Sequence, residues 1–390
     1  MIDATTALLE REVEILRPPK LKFGNGTAPQ CVRDLVDRDY QRVFVVLSSS
    51  VKPHVAWFLN ELESKVEATS IYTEINKEPT IGMLEETLDA AREFEADAVL
   101  GIGGGSVLDV AKLVAALLDG KQQVQEVLGI RNLAGRSTFM VCLPTTAGTG
   151  SEVSPNAILL DEEENLKKGA VSPHLVSDAT YVDPELTKTV PSDVTAATGL
   201  DALTHCIEAY ANRFAHPIVD LYALEGIRLI GTNLERAVKD GNDIEARTKV
   251  ALGSIYGGLC LGPVNTAAVH ALSYPLGSEF HVPHGISNAV LLPFVLEFNV
   301  EAAPERHAEI AEALGVENAE TTLEKAEMGV EKIRQLMKRC NVPLSMEALG
   351  VPKNAIKTMA ESAISIDRLL KNNVRKLSRE DAEKIYEAAF

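Results

Sequence analysis

Ala98-Val-Leu-Gly-Ile-Gly-Gly-Gly-Ser-Val-Leu-Asp109 decides the fold class. A short apolar run, Ala98 to Ile102, reads as a buried strand. It runs into glycines, and Val107 to Leu118 then has the spacing of a helix. A strand that passes through glycines into a helix is the repeating step of a parallel α/β sheet. Outward from this stretch the pattern recurs. Arg42–Leu47 is a strand that ends in Ser48-Ser-Ser50, and Val66–Tyr72 is a weaker one. Leu84–Phe94 has helical spacing, and Phe139–Leu143 is a further strand. The expected fold is an α/β domain with a parallel, doubly wound, Rossmann-like sheet and ligands at the strand C-termini.

The character changes near Asp183-Pro184. Pro191-Ser192-Asp193 is a helix-start signal. Val194–Tyr210, Val219–Leu229, Ile244–Leu259, Ala289–Phe298 and Leu323–Arg339 all read as helices, and Ser378-Arg-Glu-Asp381 is a capping-box pattern that opens a last one. The expected division is an α/β domain over residues 1–190 and an all-helical domain over 191–390. A chain of 390 residues fits two domains.

The helical half carries the chemistry. Asp201 and His205 are four residues apart and share one helix face. His270 and His284 follow, the latter in Pro283-His284-Gly285 near the first turn of a helix. One carboxylate and three imidazoles form a complete set for a divalent metal: Fe2+, Zn2+ or Mn2+. Taken singly, a histidine is more often a core or surface residue; the grouping is what points to a metal. His54, His174, His216 and His307 are expected at the surface, and His281 beside the site. Cys206 and Cys260 are expected to pack in the core.

Two loops suit a nucleotide. Gly101-Ile-Gly-Gly-Gly105-Ser106 would let backbone N–H groups approach a phosphate at a helix N-terminus. Pro144-Thr-Thr-Ala-Gly-Thr-Gly-Ser151-Glu152 offers hydroxyls after the next strand. The plainer readings are a tight turn and a polar surface loop. The glycines follow the strand near residue 100 rather than the first one, unlike the common dinucleotide fingerprint.

Composition bounds the rest. Hydrophobic residues make up 46% and charged residues 24%, as in ordinary globular proteins. The formal charge of −18 repels nucleic acid and anionic membranes. The five cysteines are odd in number and lack Cys-x-x-Cys spacing, which favours reduced thiols and a cytoplasmic location. The N-terminal residues carry charge early and hold no long apolar core, so no signal peptide is expected.

With these motifs assembled, the chain resembles the iron-containing (group III) alcohol dehydrogenases. The matching motifs are Gly-Gly-Gly-Ser106-x-x-Asp109, Pro-Thr-Thr-Ala-Gly-Thr149, Gly-Leu-Asp201-Ala-Leu-Thr-His205-x-x-Glu208-x-Tyr210 and His270 with His284-Gly. The resemblance spans nearly the whole chain. It implies an N-terminal α/β dinucleotide-binding domain, an all-α metal-binding domain, and an iron-type, metal-dependent alcohol dehydrogenase or aldehyde reductase that passes a hydride between NAD(P)(H) and a small alcohol or aldehyde. It implies metal ligation by Asp201, His205, His270 and His284. It also implies cofactor contacts at Gly103, Gly104, Gly105, Ser106, Asp109, Thr145, Thr146 and Thr149, and more loosely at Asn156 and Lys167. Catalysis in the cleft between the domains and a homodimer or larger homo-oligomer follow from the same likeness.

Two positions depart from the family pattern. Ser48 stands where many members carry an aspartate for the adenosine ribose, so NADP(H) is expected to be accepted. Tyr274 stands where many carry a histidine that relays a proton. A tyrosine titrates near pH 10, which shifts the relay toward His281, a water chain or the cofactor ribose. The rival readings are a polyol (glycerol-type) dehydrogenase, a maleylacetate-type reductase, a dehydroquinate-synthase-like lyase and a non-catalytic metal-binding protein.

Overall fold

The computed structural model describes residues 11–164 and 166–390. Residues 1–10, which carry most of the N-terminal stretch read for a signal peptide, lie outside them. The chain forms two compact units: residues 16–190, and residues 191–390 together with residues 11–15. The expected first domain therefore loses residues 11–15 to the helical unit, where the Arg11 guanidinium lies 5.7 Å from the centre of the Phe214 ring.

The α/β unit holds nine strands among its described residues: β1 (Lys20–Phe23), β2 (Arg42–Leu47), β3 (Ala68–Tyr72), β4 (Ala98–Gly103), β5 (Gly129–Ile130), β6 (Phe139–Pro144), β7 (Asn156–Asp161), β8 (Leu166–Val171) and β9 (Ala179–Val182). Six of them form a parallel sheet in the order β1-β9-β6-β4-β2-β3. A second sheet, β5-β8-β7, includes the antiparallel β7–β8 pair. The central strands β2, β4 and β6 are almost wholly buried and read as continuous apolar runs, as expected of strands covered on both faces. The four strands read from sequence are β2, β3, β4 and β6. The strand taken as first is the second, because Lys20–Phe23 alternates lysine with apolar residues at a half-exposed edge.

The order reverses between β2 and β4, so the chain segments after these strands flank a topological switch point. Ser48 follows β2, the glycine loop follows β4 and the Pro144–Glu152 loop follows β6. Because β4 pairs with β6, the last two loops emerge side by side, and Thr145 N–H donates to the Gly103 carbonyl at 2.9 Å.

A buried polar network fixes the second loop. Lys112, on the Gly105–Leu117 helix, is fully buried, and its ammonium donates to the carbonyls of Ser151 (2.9 Å) and Ser154 (3.4 Å) and to that of Asn156. Its charge lies 3.5 Å from Asp109 Oδ1. Glu152 is also buried, and burial pushes its carboxyl up to about 7. The fold thus favours the protonated acid, whereas an unfolded glutamate ionises near 4.3. That preference is fully present below about pH 4.3 and is lost as the pH rises through 7, a difference of about 4 kcal/mol. Glu152→Gln should therefore raise the urea midpoint clearly at pH 8 and hardly at pH 4. Equal shifts at both pH values would refute the assignment.

The helical unit is built around the Ser192–Tyr210 helix, which is buried along nearly its whole length from Thr195. The Pro217–Lys239, Ile244–Cys260 and His284–Val300 helices pack against it. The Ala268–Phe280 and His284–Val300 helices are joined by only three residues and pack on each other. His281 ends the first of these in the left-handed conformation, at φ 54°. Ser378 and Asp381 form the expected capping box. His307 corrects its expected surface position: it is buried, and its Nδ1–H donates to the Ala303 carbonyl at 2.8 Å. His54 and His174 are exposed, whereas His216 is half-buried and caps the helix that begins at Pro217. Cys206 and Cys260 lie in the core, and all five cysteines are unpaired and buried. Among the described residues no helix is long and apolar enough to cross a membrane.

Candidate metal centre and nucleotide loops

Three helices deliver the acid–imidazole set. The Ser192–Tyr210 helix brings Asp201 and His205, the Ala268–Phe280 helix brings His270 in its first turn, and the His284–Val300 helix begins with His284 itself. Gly285 allows the last approach. A Cβ there would lie 2.2 Å from the Ala197 carbonyl oxygen, a backbone atom that cannot yield, so only glycine lets this helix end settle beside Asp201.

The four side chains converge. Asp201 Oδ1 lies 3.6 Å from His270 Nε2, 3.6 Å from His284 Nε2 and 3.8 Å from His205 Nε2. Bonds of about 2.1 Å in a tetrahedron set neighbouring donors about 3.4 Å apart, so these spacings fit a single small dication. The tightest group is Asp201, His270 and His284, whose donor atoms all lie within 4.8 Å of one another. His205 sits at its edge, its ring stacked on that of His270 with centroids 4.9 Å apart. Asp201, His205 and His270 are buried, while the His284 side chain is 33% exposed and marks the accessible side.

Electrostatics support the same reading. Burial alone would raise the Asp201 carboxyl, but His205, His284 and His270 hold it far below the usual carboxylate range. Burial opposes a charge on His270, yet Glu208 and Asp201 outweigh it and lift its pKa to about 10. In effect the site attracts positive charge, and without a metal that charge falls on an imidazole.

Glu208 is the functional residue that sequence reasoning quoted without giving it a role. It is buried, and it accepts from His270 Nδ1–H at 2.6 Å and from Val269 N–H at 2.6 Å. Accepting at Nδ1 turns the His270 Nε2 lone pair toward Asp201, the arrangement by which a carboxylate orients a metal-bound histidine. Its position seven residues after Asp201, on the same helix face, was the available signal. Asn288 was also missed. It is fully buried four residues after His284, and its amide nitrogen donates to Asp201 Oδ1 at 2.7 Å.

Tyr274 follows His270 by one turn. Its ring lies 6.3 Å from that of His284, and its hydroxyl oxygen accepts from Arg368 at 2.8 Å. His281 is exposed and serves as a helix terminus.

In the α/β unit the glycine loop is sterically required. A Cβ on Gly105 would lie 2.6 Å from the Thr149 side chain, so the two loops interlock at that point. Thr146 lies against Gly104 in the same way, at 3.3 Å. Gly104 to Ser106 and Thr146 are partly accessible, whereas Gly103 and Thr145 are buried. Asp109 turns inward: its carboxylate accepts from Ser151 Oγ–H and from Ile158 N–H, the latter at 2.9 Å, which ties the helix to the loop. Lys167 is ion-paired with Glu78, and Asn156 opens β7 with its side-chain oxygen buried. Ser48 is half-exposed, with its hydroxyl 3.0 Å from that of Ser50.

Residues 18–184 match the family described as iron-containing alcohol dehydrogenase, and residues 195–390 match the C-terminal region of the Fe-containing alcohol dehydrogenase family. Long-chain-alcohol dehydrogenase 1 of Geobacillus thermodenitrificans is 36% identical over 382 residues, covering 96% of each chain. Lactaldehyde reductase of Escherichia coli K12 is 30% identical over 373 residues, covering 94% of this chain and 97% of its own. A crystal structure of 1,3-propanediol oxidoreductase superposes with a TM-score of 0.94 at 31% identity, over 97% of this chain and 100% of that one. This chain belongs to the iron-containing alcohol dehydrogenase family.

Replacing Glu208 with glutamine should weaken divalent-metal binding about 10- to 100-fold, because the amide NH2 would face His270 or Val269, both donors. Titration of metal-free protein checks this; unchanged affinity would remove Glu208 from the centre.

Proposed function

We propose that the chain is an NAD(P)(H)-dependent alcohol dehydrogenase, or aldehyde reductase, whose helical unit holds Fe2+, or failing that Zn2+, on Asp201, His205, His270 and His284. The observation that carries this reading is the set of 3.6–3.8 Å spacings from Asp201 Oδ1 to three imidazole nitrogens. When bound, the cation supplies Lewis acidity to a substrate oxygen, and the nicotinamide supplies the two-electron partner.

The chain's own residues do the rest. Asp201 tempers the acidity of the centre by one unit of charge. Glu208 holds the His270 ring in the tautomer that presents Nε2. Tyr274 accepts from Arg368 through its hydroxyl oxygen; His281, at the surface, ends a helix. The glycine and threonine loops receive the dinucleotide phosphates and nicotinamide through partly accessible backbone N–H and hydroxyl groups, with Asp109 and Lys112 bracing them from behind.

Relatives named for long-chain alcohols, lactaldehyde and 1,3-propanediol support an alcohol or aldehyde as substrate, and the latter two favour a small one. The 1,3-propanediol likeness favours a diol as the second reading. Five buried thiols fit a reducing cytoplasm, and a homodimer or larger homo-oligomer fits the family.

Anaerobically purified protein should contain one equivalent of divalent metal per chain and consume NAD(P)H with an aldehyde panel. No consumption by metal-loaded protein would end the proposal. His270→Ala should lower turnover by about 100-fold or more while leaving the circular dichroism unchanged. At the ribose end, Ser48 lacks the charge that repels a 2′-phosphate. Wild type should therefore show a KM for NADPH no higher than that for NADH, and Ser48→Asp should raise the NADPH value selectively. A strong NADH preference in wild type would refute this.

A further inference from the structure

The proposed metal set leaves one buried polar group unexplained. Asn288 is fully buried, and among the described residues its side-chain oxygen has no hydrogen-bond partner. Its amide nitrogen lies 2.7 Å from Asp201 Oδ1, 3.1 Å from His270 Nε2 and 3.2 Å from His284 Nε2. With His270 Nε2 and His284 Nε2 each 3.6 Å from Asp201 Oδ1, an atom so nearly equidistant from all three stands about 2 Å above their plane. That height is about the length of a metal–oxygen bond.

The chemistry of this arrangement is incomplete as it stands. With His270 and His284 neutral and presenting Nε2 lone pairs, as a metal requires, three acceptor atoms face an NH2 that has two hydrogens. The amide's positive end thus occupies the place where the donors attract positive charge. Once those lone pairs turn to a cation, the N–H groups lose their acceptors and their dipole opposes the ion. Half a turn about the terminal side-chain bond exchanges nitrogen and oxygen with almost no change of shape. The exchange places the NH2 where the oxygen, which has no partner among the described residues, now lies, and the new contact to the cation must offset that. Asn288 also stands clear of the accessible side, which belongs to the 33%-exposed His284.

We infer that the side-chain oxygen of Asn288 faces the cation in the loaded centre and acts as a further ligand. This rests on the metal centre proposed above. The competing role is structural: the amide nitrogen keeps donating to Asp201 and merely steadies that carboxylate.

Metal-free full-length protein titrated with Co2+ separates these roles, read by dissociation constant and by d–d absorption, which strengthens when the coordination number falls. Asn288→Ala should bind Co2+ about 10- to 100-fold more weakly and absorb more strongly. Asn288→Asp, which keeps the oxygen and adds charge, should bind at least as tightly as wild type and keep its spectrum. If Asn288→Asp binds as weakly as Asn288→Ala, a carboxylate has been forced against Asp201, and the structural role replaces the inference. Wild-type affinity and spectrum in Asn288→Ala would also overturn it. Should either variant fail to fold, a crystal structure of metal-loaded wild type decides: an amide atom within about 2.6 Å of the ion supports ligation, and one beyond about 3 Å rejects it. Wild type that takes up no Co2+ at all would overturn the metal centre itself, a separate result.

Discussion

The convergence of three imidazoles on one buried oxygen, Asp201 Oδ1, is the constraint on which the helical unit's chemistry depends. A carboxylate taken out of water needs positive charge or strong donors close by. Here the requirement is doubled, since Glu208 buries a second carboxylate two turns along the same helix. Neutral imidazoles cannot balance two negative charges, and the raised pKa of His270 is the sign of that imbalance. A dication balances both. The apolar surroundings of this helix make the demand strict, because no lysine or arginine ion-pairs with Asp201 or Glu208 among the described residues.

The α/β unit solves a different problem, which is to hold flexible, hydroxyl-rich loops still without filling the space a ligand needs. Glycines at 103–105 keep the β4 loop close to the sheet, and Thr149 fills the room that a side chain on Gly105 would take. Behind the loops, Lys112 and Asp109 form an ion pair beside the buried Glu152 carboxyl, and their hydrogen-bond partners are mainly backbone groups of the Ser151–Asn156 segment and Ile158 N–H. Its charges spend their donors and acceptors on the protein. Asp109 is therefore better understood as a brace for the loop than as a group reaching for cofactor, despite its place in the glycine motif.

Much of this was legible in the sequence wherever a pattern repeated over several residues. The apolar runs of β2, β4 and β6 and helices such as Ser192–Tyr210, Ile244–Cys260 and Thr322–Arg339 stand at their expected places, because burial on both faces or along one stripe leaves a periodic mark. Short strands did not, whether at the edge (β1) or inside the sheet (β9). Lys20–Phe23 and Ala179–Val182 have only four residues each and owe their pairing to neighbours supplied by distant parts of the chain. His307 was missed for a related reason: its burial comes from tertiary packing, and its hydrogen bond is to a backbone carbonyl that any sequence offers.

What the sequence determined by itself was the inventory and the local geometry: Asp201 and His205 on one helix face, glycines after β4, and His284 near a helix start. These follow from bond geometry and residue chemistry within a few positions. What only the tertiary structure decided was which lone pairs meet. Glu208 became the support of His270, Asn288 came to lie against three metal donors, and Tyr274 paired with Arg368, because helices 60 to 100 residues apart were packed together by apolar surface that carries no record of the polar atoms it brings into contact.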